Sequence, residues 1–144
     1  FPLEKSSFTI PGLAQSKIIG GNLCMICESI GTPNEIQTKG KVLFLEEVGE
    51  EFYAVDRMMT KLKRAGKLDE LKGVIIGSFT SITDRKSYFS ISIEDLVTKY
   101  FKHLDIPIAV GLSAGHEQPN YPLIFGCEAK LEISIDSLKI EYLK

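Results

Sequence analysis

Glu46 and Glu47 follow the apolar run Val42-Leu-Phe-Leu45 without a break, and His116 sits in the loop-like stretch Gly111-Leu-Ser-Ala-Gly-His-Glu-Gln-Pro-Asn120. These are the residues whose types could do chemistry together. A carboxylate can hold an imidazole in one tautomer and stabilise its protonated form, while the imidazole takes a proton from a nucleophile. The nucleophile is the missing part. Ser78, Ser81 and Ser113 qualify by type, but none lies in a G-x-S-x-G or similar strand-to-helix turn. Ser113 is also too close to His116 along the same loop for a productive geometry. Plain alternatives stand beside each residue: the strand bearing Glu46 has simply reached the surface, and His116 is a surface histidine in a turn. The other histidine, His103, falls late in a helical stretch, where a positive charge suits the helix C-terminus.

Cys24 and Cys27 form a C-x-x-C, which could be a redox pair or half of a zinc site. A zinc site needs about four ligands, and only Cys127 and two scattered histidines remain. The segment Leu23-Cys-Met-Ile-Cys27 reads instead as a buried helix in which cysteine acts as a small hydrophobe. No metal is expected.

The elements that would position these side chains can be read from periodicity and punctuation. Residues 1–16 mix prolines, glycine and serines and read as an incoming linker or irregular strand. Asn22 suits the N-cap of a helix over 23–30, which Gly31-Thr-Pro33 ends. Val42 to Leu45 and Gly73 to Gly77 have the character of buried strands, and Ile106 to Val110 is a third. From Phe52 onward Val55, Met59 and Leu62 share a helical face, closed by Gly66 at the C′ position. Ser81 to Ser90 reads as a polar surface loop with Asp84-Arg-Lys86 at its tip. Ser92-Ile-Glu-Asp95 resembles a capping box opening another helix, with Asp in place of Glu. The tail alternates through Leu131, Ile133 and Ile135, then Leu138, Ile140 and Tyr142, which predicts a hairpin turning at Asp136-Ser137. Helices following strands, with a terminal hairpin, indicate a mixed α/β domain with a barrel-like or strongly curved sheet flanked by helices.

The 144 residues suffice for one domain with a real core, and 44% hydrophobic with 25% charged residues is ordinary for a globular chain. A net charge of −2 with interleaved signs argues against nucleic acid as a partner. No apolar run approaches the roughly 20 residues that span a bilayer, so no membrane partner is expected.

The order of several segments carries a resemblance. Gly20-Gly-Asn-Leu23, Val42-Leu-Phe-Leu-Glu-Glu-Val-Gly-Glu50 and Val55-Asp-Arg-Met-Met59 resemble the second half of the serine LD-carboxypeptidases. So do Leu62-Lys-Arg-Ala-Gly66, Gly73-Val-Ile-Ile-Gly-Ser-Phe79, Ile106-Pro-Ile108 and Gly115-His116 with Asn120. That family includes murein tetrapeptide carboxypeptidase and the microcin C7 immunity enzyme. The resemblance implies a swivelling β/β/α domain over residues 17–144, with Glu46 and His116 as two members of a Ser-Glu-His catalytic triad. It implies that Glu47 fills a position usually held by an acidic neighbour. It places the serine upstream, in the protein's own N-terminal domain, which nothing in this chain matches. The chain begins Phe-Pro-Leu-Glu-Lys, without methionine or a signal-peptide pattern, and is read as a C-terminal piece, inactive alone. The implied activity is release of the terminal D-amino acid from a peptidoglycan-derived tetrapeptide in the cytoplasm, by a homodimer, without any cofactor. Two departures bear on the pocket lip: Leu112-Ser-Ala114 where the family often has a proline, and Tyr121-Pro-Leu-Ile-Phe-Gly126 after Asn120. The rivals are hydrolysis of a microcin-type peptidyl-nucleotide and a non-catalytic binding domain. A binding domain would leave Glu46 and His116 far apart or separately solvated.

Overall fold

The structure, a computed structural model, describes residues 1–83 and 92–143. The segment expected as a polar loop with Asp84-Arg-Lys86 at its tip therefore lies outside the described residues from position 84 on. Strands β1 (Gly12–Asn22), β2 (Val42–Val48), β3 (Gly73–Thr80), β4 (Ile108–Val110), β5 (Glu128–Ile133) and β6 (Leu138–Tyr142) form one six-stranded sheet in the order β4-β3-β2-β1-β5-β6. Helices α1 (Leu23–Ser29), α2 (Phe52–Arg64) and α3 (Ile93–Phe101) join the parallel strands, and His103 sits in a short 3-10 turn, Lys102–Leu104, after α3. The expected mixed α/β architecture, a sheet flanked by helices, is the one observed.

β1 is the hinge of the design. Its second half pairs parallel with β2, and its first half pairs antiparallel with β5. Gly20 is required there: it has φ +138°, and a Cβ would collide with the Phe44 carbonyl. Residues 1–10 strap the outer edges together. Ile10 pairs with Ile108 and Leu3 with Leu112 at the β4 edge, while Pro2 pairs with Ser137 beside β6. This strap links the two edges of the sheet. Of the stretch read as a linker through residue 16, residues 12–16 thus belong to β1 and much of the remainder bridges strand ends. Its partners lie more than 90 residues away in sequence, where local composition gives no sign of them.

Two apolar clusters fill the two faces. Leu43, Leu45, Val74, Ile76, Ile108 and Val110 pack under the three helices with Leu62, Val97 and Phe101. Val42, Phe44, Ile75 and Ala109 point the other way, against Leu131, Ile133, Leu138 and Leu112. Strands covered on both faces must be apolar throughout, which is why β2 and β3 read as continuous runs.

Local signals are met closely. Asn22 caps α1 by accepting from the Met25 N–H. Ser92 and Asp95 form a reciprocal capping box at the start of α3. Gly66 follows α2 with φ +69°. The hairpin differs: Ser134 N–H bonds the Ser137 carbonyl, so the turn centres on Ile135-Asp136, one residue earlier than expected. Ile135 is consequently exposed at the tip rather than continuing the inward alternation of β5. The Val42–Leu45 strand also runs further than expected, to Val48, because Glu46 and Glu47 remain in the sheet.

Candidate active site

Alternation along β2 sends Glu46 to the face of Val42 and Phe44, and Glu47 to the helical face of Leu43 and Leu45. Position alone left open that the strand simply reaches the surface here. Both are buried instead, Glu46 at 5% exposure and Glu47 at 2%. Each is met by a different element. Glu47 accepts from Asn22 Nδ2 at 2.8 Å, from the Cys24 N–H at 2.8 Å and from its neighbour Val48 N–H at 2.9 Å. It therefore ties the start of α1 to the end of β2, and the Cys24 N–H is one of the donors that a helix N-terminus leaves free.

Glu46 meets the loop after β4. Its Oε2 lies 2.8 Å from His116 Nδ1. An ionised carboxylate only accepts, so in this pair Nδ1 is the donor, and a neutral imidazole held this way has its lone pair at Nε2. The imidazole side chain is 55% exposed, against 7% for the carboxylate that holds it. A buried carboxylate thus orients a ring whose other nitrogen is available to a reacting group.

The loop reaches the carboxylate because glycines clear the way. Gly115 has φ +140°, and a Cβ there would come within 2.8 Å of Glu46 Oε2. Gly77 lies beneath, where a Cβ would strike the Ala114 carbonyl and the Phe44 ring. The Gly115 N–H donates to Asn120 Oδ1 at 3.1 Å, closing the loop on itself. Beside it lies a cleft of about 200 Å³, lined by Ser78, Thr80 and Glu117 and by residues 4–6, Glu94 and Gly111.

The other candidates fall elsewhere. Burial pushes the Cys27 thiol up to about 11, and burial followed by the nearby Glu47 charge raises that of half-buried Cys24. Neither thiol is disposed to ionise for redox or metal chemistry. Cys127 is exposed, and no metal-holding group of acidic, histidine or cysteine side chains exists among the described residues. No helix among them is long and apolar enough to cross a membrane.

Residues 15–131 match the family model of the LD-carboxypeptidase C-terminal domain. The chain belongs to that family. The LD-carboxypeptidase domain is 34% identical over 132 residues to the "Probable murein peptide carboxypeptidase" of Bacillus subtilis, covering 92% of this chain and 41% of the relative. It superposes with a TM-score of 0.86, at 24% identity, on the muramoyltetrapeptide carboxypeptidase of Oxalobacter formigenes, covering 99% of this chain and 48% of that one. A mutant of the microcin C7 self-immunity protein has the same fold, with a TM-score of 0.82 at 19% identity over 94% of this chain and 40% of the other. The domain therefore spans about two fifths of the length of the curated relative it matches.

What sequence reading missed at the site is the support beneath the histidine. Leu45 pairs with Ile76 but Glu47 pairs with Phe79, so Gly77 and Ser78 together face the single residue Glu46. This is a β-bulge on β3, a common device for re-aiming a side chain beside a site. The only signal for it in the sequence is a glycine and a serine late in an otherwise apolar strand.

Proposed function

We propose that this domain supplies the Glu-His half of a serine LD-carboxypeptidase that releases the terminal D-amino acid from a murein tetrapeptide. The observation that carries the reading is the 2.8 Å bond from His116 Nδ1 to the buried Glu46 carboxylate. A binding domain would have no need to place an oriented imidazole over a buried carboxylate. Membership of the LD-carboxypeptidase family supports the reaction class.

The chemistry follows from the tautomer. His116 Nε2 accepts the proton of a serine hydroxyl as its oxygen attacks the carbonyl carbon of the scissile amide. Glu46 stabilises the imidazolium that results. The same proton then passes from Nε2 to the departing amine of the D-amino acid, and water repeats the sequence on the acyl-enzyme. The serine belongs to a preceding domain of the full-length enzyme, and this chain alone is inactive. The enzyme works in the cytoplasm as a homodimer, on peptidoglycan fragments undergoing recycling, with no cofactor.

The test is D-alanine release from murein tetrapeptide by the full-length enzyme, its Glu46→Gln and His116→Ala variants, and this chain alone. By analogy with other triads, each variant should lose on the order of 10³-fold or more in kcat with its fold intact. Full activity in both variants, or turnover by this chain alone, would remove Glu46 and His116 from the mechanism or relocate the nucleophile.

A further inference from the structure

Resting on the reading above, we infer that Ser78 is a positioning residue for His116, acting with Glu117 as a clasp that fixes the histidine loop over Glu46. Three features converge on this. The bulge turns both Gly77 and Ser78 toward the loop, where strict alternation would have sent Ser78 under the helices. Ser78 is buried, and both its N–H and its hydroxyl meet the two residues flanking Gly115-His116. Its N–H donates to the Ala114 carbonyl at 2.9 Å, and its hydroxyl lies 3.1 Å from that same oxygen. The hydroxyl's single proton is donated to Glu117 Oε1. The loop is thus held at residues 114 and 117, with the ring between them.

The need for a clasp follows from the loop's composition. Gly115 lies at φ +140° and pays the largest entropy cost on ordering, and His116 itself is mostly exposed, so packing alone does not define the ring. Beyond the ring's own bond to Glu46, the side-chain contact to His116 is a long one, 3.4 Å from Thr80 Oγ1 to its carbonyl. Ser78 touches no reacting atom in the proposed mechanism. Its effect would run through the population of rings that keep Nδ1–H on Glu46.

Two readouts separate this from a merely structural role. Nitrogen shifts of the His116 ring, from two-bond proton–nitrogen spectra of the labelled protein, report the tautomer without any need for turnover. The unsubstituted protein should show the Nδ1–H form. Ser78→Ala and Glu117→Ala should each shift the ring toward a mixture of tautomers, with Glu117→Gln, which keeps an acceptor for the hydroxyl, restoring it. In the full-length enzyme Ser78→Ala should lower kcat on the order of 10-fold with KM nearly unchanged, as expected for loss of orientation. Glu117→Ala lies at the half-buried rim and tests the same clasp should the strand variant fold poorly. Wild-type tautomer in both alanine variants would overturn the inference. Loss of turnover in His116→Ala with a silent Ser78→Ala would leave the catalytic reading standing and the clasp refuted. A shifted tautomer in Ser78→Ala with turnover intact in His116→Ala would do the reverse.

Discussion

β2 and β5 lie on either side of β1, and they treat charge in opposite ways. β5 alternates exposed and buried residues, with Glu128, Lys130 and Glu132 outward and Ala129, Leu131 and Ile133 inward. β2 is buried along its length, yet carries Glu46 and Glu47. The charges of β5 lie on the exposed face of the strand, whereas those of β2 must be answered by protein groups. The two glutamates are answered by donors from the start of α1 and from the loop after β4, brought from opposite sides of the sheet. The antiparallel half is scaffold with a wet face. The parallel half is where a charge can be aimed.

The contrast can be broken by substitution. Leu45→Ala empties a fully buried site between sheet and helices and should cost about 2–5 kcal/mol of unfolding free energy. Leu13→Ala, on the exposed face of β1 opposite Glu132, should stay within about 0.5 kcal/mol. Equal urea midpoints for the two variants would refute the assignment of the core.

A smaller effect sharpens the comparison of charges. Glu47→Ala strips the acceptor from Asn22 and from the Cys24 N–H and should destabilise by about 1–3 kcal/mol. Glu132→Ala on the outer face of β5 should cost about 0.5 kcal/mol or less. Similar losses in chemical unfolding would mean that β2 does not hold its charges differently from β5.

The smallest effect is a pH dependence seated in the helices of the parallel half. Burial acts to raise the Asp56 carboxyl, but hydrogen bonds from Lys99 and Tyr100 outweigh it and hold the group below its usual range. Bonds from the Ser92 backbone and hydroxyl likewise lower Asp95. A carboxyl depressed on folding contributes stability that is complete above its unfolded value, about pH 4, and that disappears as pH falls through the folded value. Thermal stability should therefore fall on acidification below about pH 4, and Asp56→Asn with Asp95→Asn should flatten that decline. An unchanged slope in the double variant would assign the acid sensitivity elsewhere.

How much of this was legible in the sequence depended on distance along the chain. Asn22, Ser92 with Asp95, and Gly66 act on backbone within four positions, and each terminus falls where those residues put it. The adjacency of Glu46 and Glu47 to an apolar run marked the place to look, and the order of family motifs singled out Glu46 and His116. That both glutamates are buried was not legible, because their partners come from 22 to 24 and from 116. The bulge was equally hidden: a change of register is a property of two strands, and nothing in Gly77-Ser78 alone states which residue of β2 lies opposite. β1 was obscured by Gly20, which its close approach to Phe44 demands, and by the adjacent Gly21, since glycine ordinarily argues against a strand.

The strap formed by the first ten residues bears on the order of assembly. The Phe1 nitrogen donates to the Leu138 carbonyl, 137 positions away, and Leu138 N–H returns a bond to the Phe1 carbonyl. Loop-closure entropy makes such pairings unfavourable until the intervening chain is already compact. The helix-connected strands β2, β3 and β4 can dock on one another over much shorter spans, and β5 and β6 can zip from their own turn. Closure by residues 1–10 needs both β4 and the β5–β6 hairpin in place. Pairings of this length raise the contact order of the fold, the property that slows folding of a domain.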